Sequence, residues 1–172
     1  MALTWDRREI TDEMRCAQTD FHALLDGATP DDLRRRTNGT RWTNKQLLWH
    51  MVFGYLIVRT LMPLVHVLGR IGWSWRFAAT LNAIHRPFHL VNNAGSAAGG
   101  LLLPPRRMAA LMDTTINALI RRLDAETPAQ LTLTMHFPTR WDPYFQPTMS
   151  VLDVYHYGTE HYDHHHRQLT LS

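Results

Sequence analysis

The sequence predicts an all-α fold: an antiparallel four-helix bundle with an irregular, partly helical insertion between the second and third long helices. Three observations predict it. Apolar residues recur at threes and fours over stretches of about 20 residues, the helical period. Two-residue alternation is scarce. The long stretches are joined by short links, and amphipathic helices so joined pack best against one another antiparallel. With 172 residues, 45% of them apolar, the chain has the length and the core of a single domain spanning residues 1–172.

The first helix runs from about Trp5 to Asp26, with Ile10, Met14, Ala17, Phe21 and Leu24 as its apolar stripe and Gly27 as its stop. Thr29-Pro30-Asp31-Asp32-Leu33 reads as a cap, a proline at the first helical position and an acidic first turn. This short turn ends near Asn38-Gly39. The second long helix starts after Thr43, which forms a capping box with Gln46, and continues to about Met62, where Pro63 kinks or ends it. Residues 65–100 form the insertion. Trp73 to Ile84 looks helical, Pro87 interrupts it, and Asn92 through Gly100 reads as loop. The third long helix runs from Pro104-Pro105 to about Asp124. Leu131, Leu133, Met135 and Phe137 alternate briefly, as in extended chain, and Pro138, Pro143 and Pro147 mark a loop. The last helix begins near Thr148–Ser150, with Ser150 and Asp153 as another capping box, and reaches about Leu169.

Composition removes several function classes. One cysteine, Cys16, excludes an intramolecular disulfide and a cysteine-based zinc site. No Gly-x-Gly-x-x-Gly or Walker loop supports a nucleotide fold. The net charge is +3, but the basic residues, 17 Arg and one Lys, are dispersed among acids rather than gathered in a stripe. No nucleic-acid partner is expected. The Arg/Lys imbalance looks like the codon bias of a GC-rich genome. The polar start, Met1 to Ile10, does not read as a secretory signal, so a cytoplasmic protein is expected. Leu47 to Gly69 is long enough to span a bilayer, but it carries His50, Arg59, Pro63 and His66. It reads as a buried helix, with no membrane partner.

The histidines carry the chemistry. There are 11, five of them in the last helix. His161 and His165 lie four apart and share a helix face. The spacing alone is weak evidence, since so many histidines give such a pair nearly by chance, and His85/His89 is a second one with Pro87 inside it. Position adds more. Val151, Val154, Gly158, His161, His165 and Gln168 keep a three-four spacing, an inward seam. Leu47, His50, Met51, Gly54, Val58 and Leu61 form a similar seam in the second helix. Gly158, one turn before His161, leaves room for a ligand. Burying three imidazoles is costly unless they are paired or metal-bound. Two readings follow: a divalent metal on His50, His161 and His165, or hydrogen-bonded core histidines. His22, His66 and His136 read as structural, and His164 and His166 as facing solvent or a partner.

Trp42-Thr43 followed by Leu47-Leu48-Trp49-His50 resembles the tryptophan cap and Leu-x-His start of the DinB-like superfamily. This superfamily includes bacillithiol and mycothiol S-transferases and the mycothiol-dependent maleylpyruvate isomerase. Glu160 through Leu169 is similar to that family's final helix, His-x-x-His-His-x-x-Gln-Ile/Leu. Asp142-Pro143-Tyr144-Phe145 is similar to its lead-in, with Asp142 where histidine is common and Gln146 where glycine is common. The resemblance covers most of the chain outside residues 65–100. It implies a four-helix bundle with a divalent metal on His50, His161 and His165, and it is compatible with a homodimer.

Three neutral imidazoles leave at least one coordination position open, the pattern of a catalytic site. Zinc is the default for such a donor set, with nickel, iron and cobalt as alternatives. The leading expectation is a metal-dependent transferase joining a low-molecular-weight thiol, by family analogy mycothiol, to a small electrophilic substrate. The alternatives are a metal-dependent hydrolase of a small amide or ester and a non-catalytic, metal-binding, stress-related dimer. Trp73, Trp75, Phe77, Phe88 and Asn92-Asn93 are candidates for the wall of the pocket mouth. The competing reading is packing over the end of the helices.

Overall fold

The computed structural model describes residues 6–171, and for residues 85–91 the backbone only. The chain is mostly helical. Its elements are α1 (Arg7–Gly27), α2 (Pro30–Arg34), α3 (Asn44–Ile71), α4 (Ser74–Ala83), α5 (His85–Leu102), α6 (Pro105–Ala125), α7 (Pro128–Leu131), β1 (Thr134–His136), β2 (Thr148–Ser150) and α8 (Val151–His166). The start of the first helix read at Trp5 lies outside the described residues.

Local chemistry starts most of these helices where the sequence places them. Thr29, Thr43 and Ser150 each form a capping box with the residue three positions on, and so does Asp6 with Glu9. Pro30 and Pro105 occupy first-turn positions, where a missing N–H costs nothing. The α1 stripe of Ile10, Met14, Ala17 and Phe21 is buried as expected. It packs on α6, whose Met108, Met112, Ile116 and Leu119 are buried in turn, and on α8. On its other side, α3 packs on α6, α8 and α5.

Two expectations are corrected and one is met. Pro63 does not end the second long helix: α3 runs on to Ile71 and stops at Gly72, in the left-handed conformation at φ 69°. Packing of Met62, Val65, His66 and Leu68 on either side of Pro63 outweighs its cost of about 3 kcal/mol. The helix read from Trp73 does stop before Pro87, α4 ending at Ala83, and Pro87 then sits in the first turn of α5, among N–H groups that lack helical partners anyway. Residues 92–100 are helix, not loop. Glycines read as breakers there are the means of close approach. A Cβ on Gly99 would collide with the Trp49 indole, and one on Gly100 would lie 2.5 Å from Gln46 Cα. The C-terminal half of α5 thus lies directly against the first turns of α3.

The alternating segment before Pro138 is strand, as expected, but its partner was not. β1 pairs antiparallel with β2, aligning Met135 with Met149, and both methionines are buried. Thr148–Ser150 is therefore strand leading into the cap of α8. That helix ends at His166, short of Leu169. α3 is long and apolar enough to cross a membrane by length and composition, and half of its most apolar window is buried within the protein.

Candidate metal centre

His50 stands in the second turn of α3, and His161 and His165 stand one turn apart in the last two turns of α8. These two helices pack together, so the two inward seams meet. The rings of His50 and His161 are 4.9 Å apart by centroid, and each of the other two pairs is 4.6 Å apart. One donor nitrogen from each residue falls within 4.8 Å of the others. His50 and His161 are buried and His165 is half-buried.

Each ring is placed by identifiable neighbours. His50 Nδ1 meets Ser96 Oγ of α5 at 2.8 Å. His165 Nδ1 meets Gln168 Oε1 at 2.7 Å and so donates to it. His161 Nδ1 is buried with no hydrogen-bond partner. The space for the His161 ring comes from Gly54, where a Cβ would lie 2.5 Å from His161 Nδ1. Gly158, from which room for a ligand is expected, does not provide it. That space is filled by Tyr55, whose Cε1 would lie 2.8 Å from a Cβ on Gly158. The Trp42 ring packs 4.6 Å from His50 and 6.4 Å from His165, and Tyr157 packs 5.8 Å from His161.

Burial keeps the three imidazoles uncharged. It lowers the His50 pKa to about 3, helped by repulsion from His165. It holds His161 well below the ordinary histidine value, with His50, His165 and His164 adding to the effect. His165 is lowered mainly by burial, against its bond to Gln168 and the attraction of Asp142. Neutral imidazole is the form that binds metal. An orphaned buried nitrogen beside two rings whose outer nitrogens are already engaged is the pattern a divalent cation satisfies. The residues present therefore fit a metal.

The other histidines divide differently. His22 meets Asp113 at 2.8 Å, His66 meets the buried Glu126 at 2.8 Å, and His136 meets Ser74 at 3.1 Å, all structural as expected. His164 is not simply solvent-facing. Its ring lies 4.9 Å from His165, and its Nδ1 lies 3.1 Å from Tyr144 Oη. His166 reaches Asp20 of α1 at 3.3 Å. The His85, His89 and Phe88 side chains lie outside the described ones. Trp73 and Trp75 do not wall the site. They are exposed, and α3 carries the chain about 30 Å past His50 before reaching them.

Two neighbours escaped the sequence reading. Ser96 gave no signal, because it sits among residues read as loop. Asp142 was noted only as a departure from a motif. Its carboxylate accepts from Tyr157 Oη at 3.0 Å and acts electrostatically on His165. Together with burial, it raises the Tyr157 pKa well above the ordinary value, so that hydroxyl stays protonated.

No curated protein and no solved structure matches the chain. The sequence model of one family does, over residues 13–169, a span that takes in all three histidines of the centre as well as the packed helices that carry them. The chain belongs to the DinB superfamily.

Proposed function

We propose that α1, α3, α6 and α8 form one antiparallel four-helix-bundle domain that holds a divalent metal on His50, His161 and His165. Its function, on this reading, is to transfer a low-molecular-weight thiol to a small electrophile. The observation that carries the reading is the convergence of three uncharged imidazoles, one with an unpartnered buried nitrogen. Nitrogen donors favour zinc, with nickel, iron or cobalt as alternatives. A metal so bound lowers the pKa of a coordinated thiol and makes it nucleophilic at neutral pH.

The chain's own residues contribute placement. Ser96 and Gln168 fix the outer nitrogens of His50 and His165. Trp42 and Tyr157 cover the rings and limit water. Tyr157 donates to Asp142 and so anchors the 137–147 loop beside α8. The thiol, and mycothiol in particular, is inferred from analogy with the superfamily together with the Arg-rich composition of a GC-rich genome. A hydrolytic alternative is favoured by one observation, the Asp142 carboxylate near His165, which supplies a candidate base.

The test is turnover of a panel of electrophiles by the zinc-loaded protein, with mycothiol, with other thiols and with none. Thiol-dependent conjugation that is lost in His161→Ala supports the transferase. Ester or amide cleavage without thiol replaces it with the hydrolase. Metal binding without any turnover leaves a non-catalytic metal-binding protein.

A further inference from the structure

The three rings of the centre differ in how their Nδ1 atoms are held: His161 has no partner, His165 meets Gln168 just past the end of α8, and His50 meets a residue of another helix. Its partner, Ser96, is fully buried on α5. Three hydrogen bonds and close approach at two glycines register α5 on α3 around that serine. Trp49 Nε1 donates to the Gly95 carbonyl at 3.2 Å, and Gln46 Nε2 donates to the Ala97 carbonyl at 3.4 Å. Lys45 Nζ donates to the Leu101 carbonyl at 3.3 Å. Gly99 and Gly100 remove the side chains that would hold the two helices apart. Bonds at residues 95 and 97 thus hold residue 96 where its hydroxyl meets His50 Nδ1.

We infer that Ser96 is a positioning residue for the metal centre: its Oγ accepts a hydrogen bond from His50 Nδ1–H, which leaves His50 Nε2 bare toward His161 and His165. The alternative, Ser96 donating to Nδ1, would place the ring proton on Nε2 and block it as a ligand. Gln168 does the same for His165 through its Oε1. A serine hydroxyl can serve in either sense, whereas an amide oxygen only accepts, so the direction at His50 is the point to test. The inference rests on the metal-centre reading of the three histidines. It adds that α5, which carries none of the three histidines, completes the centre.

The experiment combines zinc affinity, by competition with a chromophoric chelator, with nitrogen-15 NMR of the His50 ring in the zinc-free protein. Wild type, Ser96→Ala and Gly95→Ala are compared. Gly95 is the control because a Cβ there meets nothing within 4 Å. The expected result is an Nδ1–H tautomer at His50 in wild type. Ser96→Ala should lose that preference and bind zinc about 10–100-fold more weakly, while Gly95→Ala matches wild type. An Nε2–H tautomer in zinc-free wild type, or unchanged zinc affinity in Ser96→Ala, overturns the assignment. If no variant binds zinc, the metal-centre reading fails by itself, and the ring tautomer of wild type still decides the direction of the Ser96 bond.

Discussion

Gly54→Ala is the substitution that most sharply separates the geometry of the centre from general stability. A Cβ at this position would lie 2.5 Å from His161 Nδ1 and 2.8 Å from Cε1. Ordinary contact begins near 3.4 Å, so the ring must retreat by about 0.9 Å (3.4 less 2.5) or the helices must part. Metal sites tolerate displacements of only about 0.5 Å. Two stability terms oppose each other. Replacing a mid-helix glycine by alanine gains about 1 kcal/mol. Overpacking a buried ring costs about 1–3 kcal/mol. The zinc-free variant should therefore fold, with a net loss of no more than about 2 kcal/mol in urea unfolding. Zinc affinity should fall tenfold or more, equivalent to about 1.4 kcal/mol. Gly158→Ala is the matched control. It crowds Tyr55 rather than a ligand, so it should lose stability with little change in zinc affinity. A Gly54→Ala protein that gains stability and binds zinc like wild type would refute the placement of the His161 ring.

Three further outcomes follow. The zinc-free protein should lose stability on acidification. The His50 pKa is about 3 folded against 6.5 unfolded, so below pH 6.5 the unfolded chain takes up a proton that the folded one refuses. His50 alone should cost about 2 kcal/mol at pH 5, read by urea unfolding from pH 7.5 to 5, and His50→Ala should make that slope shallower while His161 and His165 keep part of it. Zinc should raise the melting temperature of wild type and a chelator should reverse it, with neither effect in His165→Ala. Away from the centre, Glu126→Ala should cost about 3 kcal/mol. It strips a shared partner from His66 at 2.8 Å, Tyr155 at 3.2 Å and Arg122 at 3.4 Å, and denaturation should show this with zinc affinity unchanged.

The site was legible in the sequence to the extent that its determinants are local. Thr43/Gln46 and Ser150/Asp153 fix where α3 and α8 begin, so seam positions counted from those caps place His50, His161 and His165 inward. Gln168 was on the same seam, and Trp42 was visible in the motif before α3. What escaped depends on contacts between distant segments. Gly95-Ser96-Ala97-Ala98-Gly99-Gly100 has poor intrinsic helix propensity, and only its docking on Gln46 and Trp49 makes it helix. Ser96 was invisible for that reason. Pro63 has a strong local veto that burial of its neighbours overrides. β2 is three residues long, too short for periodicity to register.

Metal stoichiometry decides whether His50, His161 and His165 hold a single metal. Untagged protein would be purified without added metal, dialysed against zinc and against cobalt, and analysed for metal content beside His50→Ala, His161→Ala and His165→Ala. One metal per chain is expected in wild type, and its loss in each folded variant. A folded wild type that takes up neither metal, or a site that survives removal of any one of the three histidines unweakened, would contradict it.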